Sequence, residues 1–135
     1  MANAFLDTNI LIYAATTQND GKAEIAQGIV AEADFCLSVQ VLHEFYVIMK
    51  KPVFEVSDDV LNVWIAHLLE FECAVIDTDI FFTAKRLSER YETHYYDAAM
   101  IAAAKRLGAK TIYTEDLSHG QDYAGVRAIN PFIEL

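Results

Sequence analysis

Apolar residues fall along this chain in short runs whose spacing switches between a strand-like and a helix-like period. Residues 3–6 read as a short strand, followed by helical stretches over 8–16 and about 21–32. Residues 34–39, "DFCLSV", read as a second strand. "VQVLHEFYVIMKK" has helical periodicity, and Ser38 ahead of it is a suitable N-cap. The step Lys50-Lys51-Pro52 should end that helix, because proline lacks an amide hydrogen and disfavours helical backbone before it. "SDDVLNVWIAHLLEF" starts with Ser57 as a cap and places two acids in the first turn, where the helix dipole favours them. "CAVID" reads as a strand, "TDIFFTAKRLSERY" as a helix, and "YYDAAMIAAAKRLG" as a helix closed by Gly108 at C′. "KTIYT" and "VRAIN" complete the set as strands. Strand–helix alternation of this kind predicts an α/β fold with a short, mostly parallel sheet flanked by helices. Ligand sites in such sheets lie beyond the carboxyl ends of the strands. No repeat, low-complexity tract or Pro/Gly/Ser linker interrupts the pattern, so residues 1–135 read as a single domain.

Four acids break the pattern. Asp7 ends the first strand in "AFLDTNILIY", where the chain otherwise looks most like core. Asp116 follows the strand "TIYT", so parallel pairing would bring both acids to one edge of the sheet. Glu44 lies three residues after Val41 and four before Ile48, on the apolar stripe of its helix. Asp97 precedes Met100, Ile101 and Ala104 by three, four and seven residues, and so projects from the core-facing side of its own helix. Taken singly, Asp7 is also explained as an N-cap, Asp97 as a first-turn residue complementing the dipole, and Asp116 as an ordinary turn residue. Glu44 has no such simple account, since an unpaired buried carboxylate costs several kcal/mol or shifts its pKa. Local rule violations of this kind tend to mark function.

Carboxylates gathered at one sheet edge repel one another, and a hard divalent cation relieves the repulsion. Oxygen-only donors point to Mg²⁺ or Mn²⁺. Such a site suits phosphoryl chemistry, in which metal ions activate a water and stabilise an in-line transition state without a nucleophilic serine or cysteine. Thr114 and Asn9 lie beside the acids, in place to orient a water, a phosphate oxygen or a carboxylate.

Composition narrows the setting. Hydrophobic residues make up 54% and charged residues 22%, as expected of a globular chain. No apolar run reaches the ~18–20 residues needed to cross a bilayer, and "MANAFLDTN" lacks a signal peptide's basic and apolar regions. A cytoplasmic protein without membrane contact is expected. Cys36 and Cys73 lack metal-site spacing and read as free thiols in a reducing compartment. Twenty acids against ten bases, net −10, argue against nonspecific coating of nucleic acid, but bound cations or a local basic rim can reverse the field. A basic partner protein also fits. His43, His67, His94 and His119 have no ligand-like spacing, and His43, about 100° around its helix from Glu44, reads as structural or surface. Trp64, Phe71, Phe81 and Phe82 read as core or dimer interface.

Together, "FLDTNILIY", "SVQVLHEFY", "HYYDAAMIAAAKRLGAKTIYTEDLSHGQ" and "VRAINPF" resemble a PIN domain, and more narrowly the VapC-type toxin ribonucleases of bacterial toxin–antitoxin pairs. The resemblance spans the chain nearly end to end. It implies a PIN-like three-layer fold and metal-dependent, single-strand-acting endoribonuclease activity. It carries the family's acids over to Asp7, Glu44, Asp97 and Asp116 as catalytic and Mg²⁺- or Mn²⁺-binding residues, and its hydroxyl to Thr114. Where many members have a further acid, two positions beyond Asp116, this chain has Ser118. An RNA substrate, a cognate antitoxin and a homodimer are implied by the resemblance alone.

Two other functions are consistent with acids at strand ends. A non-catalytic protein-binding module on a PIN scaffold is one, although all four acids are retained. A phosphatase or phosphoacceptor is the other. A haloacid-dehalogenase-type enzyme requires D-x-D-x-T where this chain has Asp7-Thr8-Asn9, and a receiver domain requires a lysine after a late strand, where this chain has Thr114-Glu115-Asp116.

Overall fold

The computed structural model describes residues 2–16 and 19–135. Six strands form one sheet: β1 Ala4–Leu6, β2 Phe35–Ser38, β3 Cys73–Ala74, β4 Thr111–Tyr113, β5 Asp122–Tyr123 and β6 Val126–Ile129. Six α-helices flank it: α1 Thr8–Ala15, α2 Asp20–Ala31, α3 Val39–Met49, α4 Asp58–Leu68, α5 Thr78–Tyr91 and α6 Tyr95–Arg106. The fold is α/β with a mostly parallel sheet, as the alternation predicts. The strand order is β3-β2-β1-β4-β6-β5, and among the described residues only the β5–β6 pair is antiparallel. From β1 the chain builds outward through β2 and β3 on one side, then crosses to build β4, β6 and β5 on the other. The crevice between β1 and β4 is therefore the topological switch point, where open α/β sheets place their ligands.

The helix ends follow the sequence signals closely. The Ser38 hydroxyl accepts from the Val41 amide at 3.4 Å, and that of Ser57 from the Val60 amide at 3.2 Å. α3 stops at Met49, before a 3-10 turn over Pro52–Phe54. α6 stops at Arg106, with Gly108 at φ 77°, the left-handed conformation that glycine adopts without a Cβ penalty.

Two departures come from tertiary pairing. Only Cys73 and Ala74 of the predicted strand 73–77 are paired, because their partner β2 ends at Ser38, where α3 starts. Val75 and Ile76 are exposed, and the Asp77 carboxylate accepts from the Ile80 amide at 2.9 Å as the cap of α5. The β5–β6 hairpin is absent from the sequence reading. Its loop, Ala124-Gly125, has φ of 54° and 100°, positive at both positions as a type I′ turn requires. A Tyr-Ala-Gly-Val stretch lacks the Asn-Gly signature by which such turns are recognised.

One hydrophobic core runs between sheet and helices, with Phe5, Leu6, Leu37, Phe45, Ile101 and Ile112 fully buried. Seven consecutive residues of α6, Ala98–Ala104, are buried. A helix apolar on every side belongs in the interior, and its alanines let neighbouring elements approach closely. Trp64 and Phe71 pack against this core, whereas Phe81 and Phe82 are exposed. The free cysteines are Cys36, buried, and Cys73, partly buried. Among the described residues no helix is long and apolar enough to cross a membrane.

Ile101 anchors α6 in this core. Ile101→Ala is expected to destabilise the protein by about 2–5 kcal/mol, the usual cost of emptying such a site. Urea denaturation monitored by circular dichroism measures it, and a loss below about 1 kcal/mol would contradict the central placement of α6.

Candidate active site

Asp7 directly follows β1, and its amide continues the ladder by donating to the Tyr113 carbonyl at 3.0 Å. Its side chain is buried, with 4% of the residue exposed. Asp7 holds the N-cap position of α1 yet makes no side-chain capping bond. Capping therefore does not explain it, in contrast to Ser38, Ser57 and Asp77. Its Oδ2 instead accepts from the Thr114 hydroxyl at 2.7 Å, on a buried residue following β4. The Thr114 hydroxyl oxygen also accepts from the Asp116 amide at 3.1 Å. One threonine thus ties the first acid to the backbone of the last. Asp97 enters from the first turn of α6, held in place by the buried length of that helix.

One carboxylate oxygen from each of Asp7, Asp97 and Asp116 lies within 4.8 Å of the others. The three residues come from opposite ends of the sequence, and the switch point brings them together. Glu44 lies outside this tight group but lines the same cleft, a hollow of about 500 Å³. Its Oε1 accepts from the Thr8 hydroxyl at 2.6 Å and its Oε2 from the Gln40 side-chain amide at 3.5 Å. The Asn9 side-chain amide reaches Asp116 Oδ2 at 3.5 Å. All five predicted site residues and Asn9 therefore border one small region. Thr8 was not singled out in the sequence; the available signal was a hydroxyl beside the misplaced acid. His43 is exposed, as expected of a surface residue, and it lines the cleft together with His94.

The electrostatics are those of an uncompensated acidic cluster. Burial, reinforced by the charges of Asp116 and Asp97, pushes the Asp7 carboxyl up from 3.8 to about 7, although the Thr114 hydrogen bond opposes the rise. Burial also raises Asp97, and Asp116 and Glu44 add to the effect while His94 opposes it. Among the described residues, none of the ion pairs formed by lysine, arginine or histidine involves Asp7, Asp97 or Asp116. The donor set is all oxygen and acidic, which suits a hard divalent cation.

The sequence matches the PIN domain family over residues 4–121, and the chain belongs to that family. No curated protein matches it in sequence. Among solved structures, a toxin–antitoxin complex from Klebsiella pneumoniae is similar with a TM-score of 0.67 and 24% identity, over 95% of this chain and 97% of that one. The sarcin-ricin-loop-cleaving toxin VapC20 of Mycobacterium tuberculosis gives a TM-score of 0.68 at 17% identity, over 84% and 89%. DNA-bound VapBC from Salmonella typhimurium gives 0.65 at 21%, over 95% and 97%. These likenesses establish the fold.

Asp7 makes the cation-free protein pH-sensitive. Folded, it keeps its proton up to about pH 7; unfolded, it releases it near 3.8. The folded state carries the extra proton between these values, so stability is lost as pH rises through that window. At 1.36 kcal/mol per pH unit the interval is worth on the order of 4 kcal/mol. In EDTA, Asp7→Asn is therefore expected to be more stable than the wild type at pH 8, with the gain vanishing towards pH 4. Urea titrations across pH measure this, and a pH-independent difference would contradict it.

Proposed function

We propose that this chain is a metal-dependent endoribonuclease that cuts single-stranded RNA, and the toxin of a type II toxin–antitoxin pair. The observation that carries the reading is the convergence of Asp7, Asp97 and Asp116 within 4.8 Å at the switch point of a PIN-family chain. Asp7, Asp97 and Asp116 would hold Mg²⁺ or Mn²⁺, with Glu44 beside them. Such a cation, when bound, would supply charge neutralisation at a phosphodiester and lower the pKa of an attacking water.

The chain's own residues do the rest. Thr114 keeps the buried Asp7 oxygen oriented and fixes the backbone of Asp116. Glu44, steadied by Thr8 and Gln40, presents a carboxylate to the cleft, where it would take the proton of the attacking water while the P–O bond breaks and the departing oxygen is protonated from solvent. Asn9 restrains Asp116. With a net charge of −10, bound cations at the cleft would favour the approach of RNA.

Two apolar surfaces suit the partners of this reading. Leu42, Tyr46, Val47 and Ile65 form a groove between α3 and α4, fit for an apolar helix of an antitoxin. Val39, Val75, Ile76 and Tyr95 line a second hollow beside the active site, fit for a second copy of the chain. Such a nuclease meets its RNA in the cytoplasm, the compartment we assign.

Purified protein is expected to cut RNA at a few discrete positions with Mg²⁺ or Mn²⁺ and not with EDTA. Asp97→Asn should lower the rate by on the order of 10²- to 10³-fold, the cost of losing one electrostatic stabiliser, without loss of folding. Gel analysis of end-labelled total RNA measures both. Cleavage that survives EDTA or Asp97→Asn would sink the reading.

A further inference from the structure

Lys22 occupies a position that helix electrostatics disfavour. It lies in the first turn of α2, where the macrodipole is positive and acids are preferred. Its amide is capped by the Asn19 side chain at 3.1 Å, while its ammonium group leaves the helix altogether. Lys22 Nζ donates to Glu115 Oε2 at 2.7 Å, and the Tyr13 hydroxyl donates to Glu115 Oε1 at 2.5 Å. The ammonium also lies 3.3 Å from the Tyr13 oxygen and 4.8 Å above the centre of the Tyr13 ring. Phe132, packed edge-on against Tyr13 at 5.2 Å, closes the group from the C-terminal side. The Lys22 and Glu115 side chains are only 25% and 19% exposed, so this is not a loose surface pair.

Glu115 stands between Thr114 and Asp116. The chain bends at these residues after β4 ends at Tyr113, so their side chains are placed by their contacts. Thr114 and Asp116 meet the acidic cluster, and Glu115 points the other way, to α1 and α2. Among the described residues the segment has no ladder partner beyond the Thr114 amide, which donates to the Ile129 carbonyl at 3.0 Å. Asp116 is exposed and lies against Asp7 and Asp97; the Thr114 hydroxyl and the Asn9 amide hold it there, and Glu115 is the residue between Thr114 and Asp116 whose own side chain is fixed from the opposite side.

We infer that Lys22 and Tyr13 are positioning residues for the acidic site, clamping Glu115 so that Thr114 and Asp116 stay aligned with Asp7. The inference rests on the nuclease reading above and names the part of the chain that keeps its last acid in place. Neither residue touches the cleft. Their effect travels through one carboxylate and two peptide bonds.

The test compares the full-length wild type with Tyr13→Phe, Lys22→Met, Lys22→Arg and Glu115→Gln. Mn²⁺ affinity is measured by electron paramagnetic resonance of the free ion, and amide exchange at Asp116 by mass spectrometry. Tyr13→Phe removes one oxygen and keeps the ring against Phe132, so it remains informative if Lys22→Met fails to fold. Mn²⁺ affinity is expected to fall by at least about tenfold in Tyr13→Phe, Lys22→Met and Glu115→Gln, the usual effect of losing an outer-shell partner, and to recover largely in Lys22→Arg. The Asp116 amide should exchange faster in the same three, and their RNA cleavage should recover at saturating Mn²⁺. A merely structural role would not give that recovery. Affinities within about twofold of the wild type in folded Tyr13→Phe and Lys22→Met would overturn the inference while leaving the nuclease reading intact. A folded wild type that takes up no Mn²⁺ would remove both.

Discussion

Three carboxylates held within 4.8 Å of one another, one of them buried, are the constraint around which this molecule is arranged. At an effective dielectric of about 20, two unit charges at that distance repel by roughly 3–4 kcal/mol. A single hydrogen bond returns only about 1 kcal/mol net. No local bond can hold such a cluster together. The whole fold has to, and the carboxyls of Asp7 and Asp97 are raised first by their burial and further by the neighbouring acids.

The scaffold meets this demand from three directions. The β1–β4 ladder runs through Asp7 and fixes the first acid to a strand. α6 is buried from Ala98 to Ala104, so Asp97 at its start cannot retreat without moving the core. The loop after β4 has the least regular support. There Thr114 bonds inward to Asp7, and Glu115 bonds outward to Tyr13 and Lys22. A chain selected only for stability would place apolar or singly capped residues at these points. Keeping an acid at each of them makes sense when a cation completes the site.

Much of this was legible in the sequence, and the reason is physical. Apolar periodicity is a local property, so helices and their caps at Ser38 and Ser57 could be read directly. Acids interrupting that periodicity stand out for the same reason, which picks out Asp7, Glu44 and Asp97, whereas Asp116 is legible only as an acid after a strand expected to run parallel to the first. Pairing is not local. The lengths of β3 and of the β5–β6 hairpin depend on where their partners stop and on a primed turn built from Ala124 and Gly125. The separation of Glu44 from the tight group is equally invisible, since it turns on a 2.6 Å bond to Thr8 from another element. The same holds for Lys22 and Glu115, 93 residues apart.

The central claim is that the acids converge to hold a divalent cation. Anomalous diffraction at the manganese edge, from crystals grown with MnCl₂, tests it most directly. The account predicts a peak enclosed by the carboxylates of Asp7, Asp97 and Asp116, lost in Asp97→Asn. A saturating soak that leaves these carboxylates without a peak, with their cleft open to solvent, would contradict it.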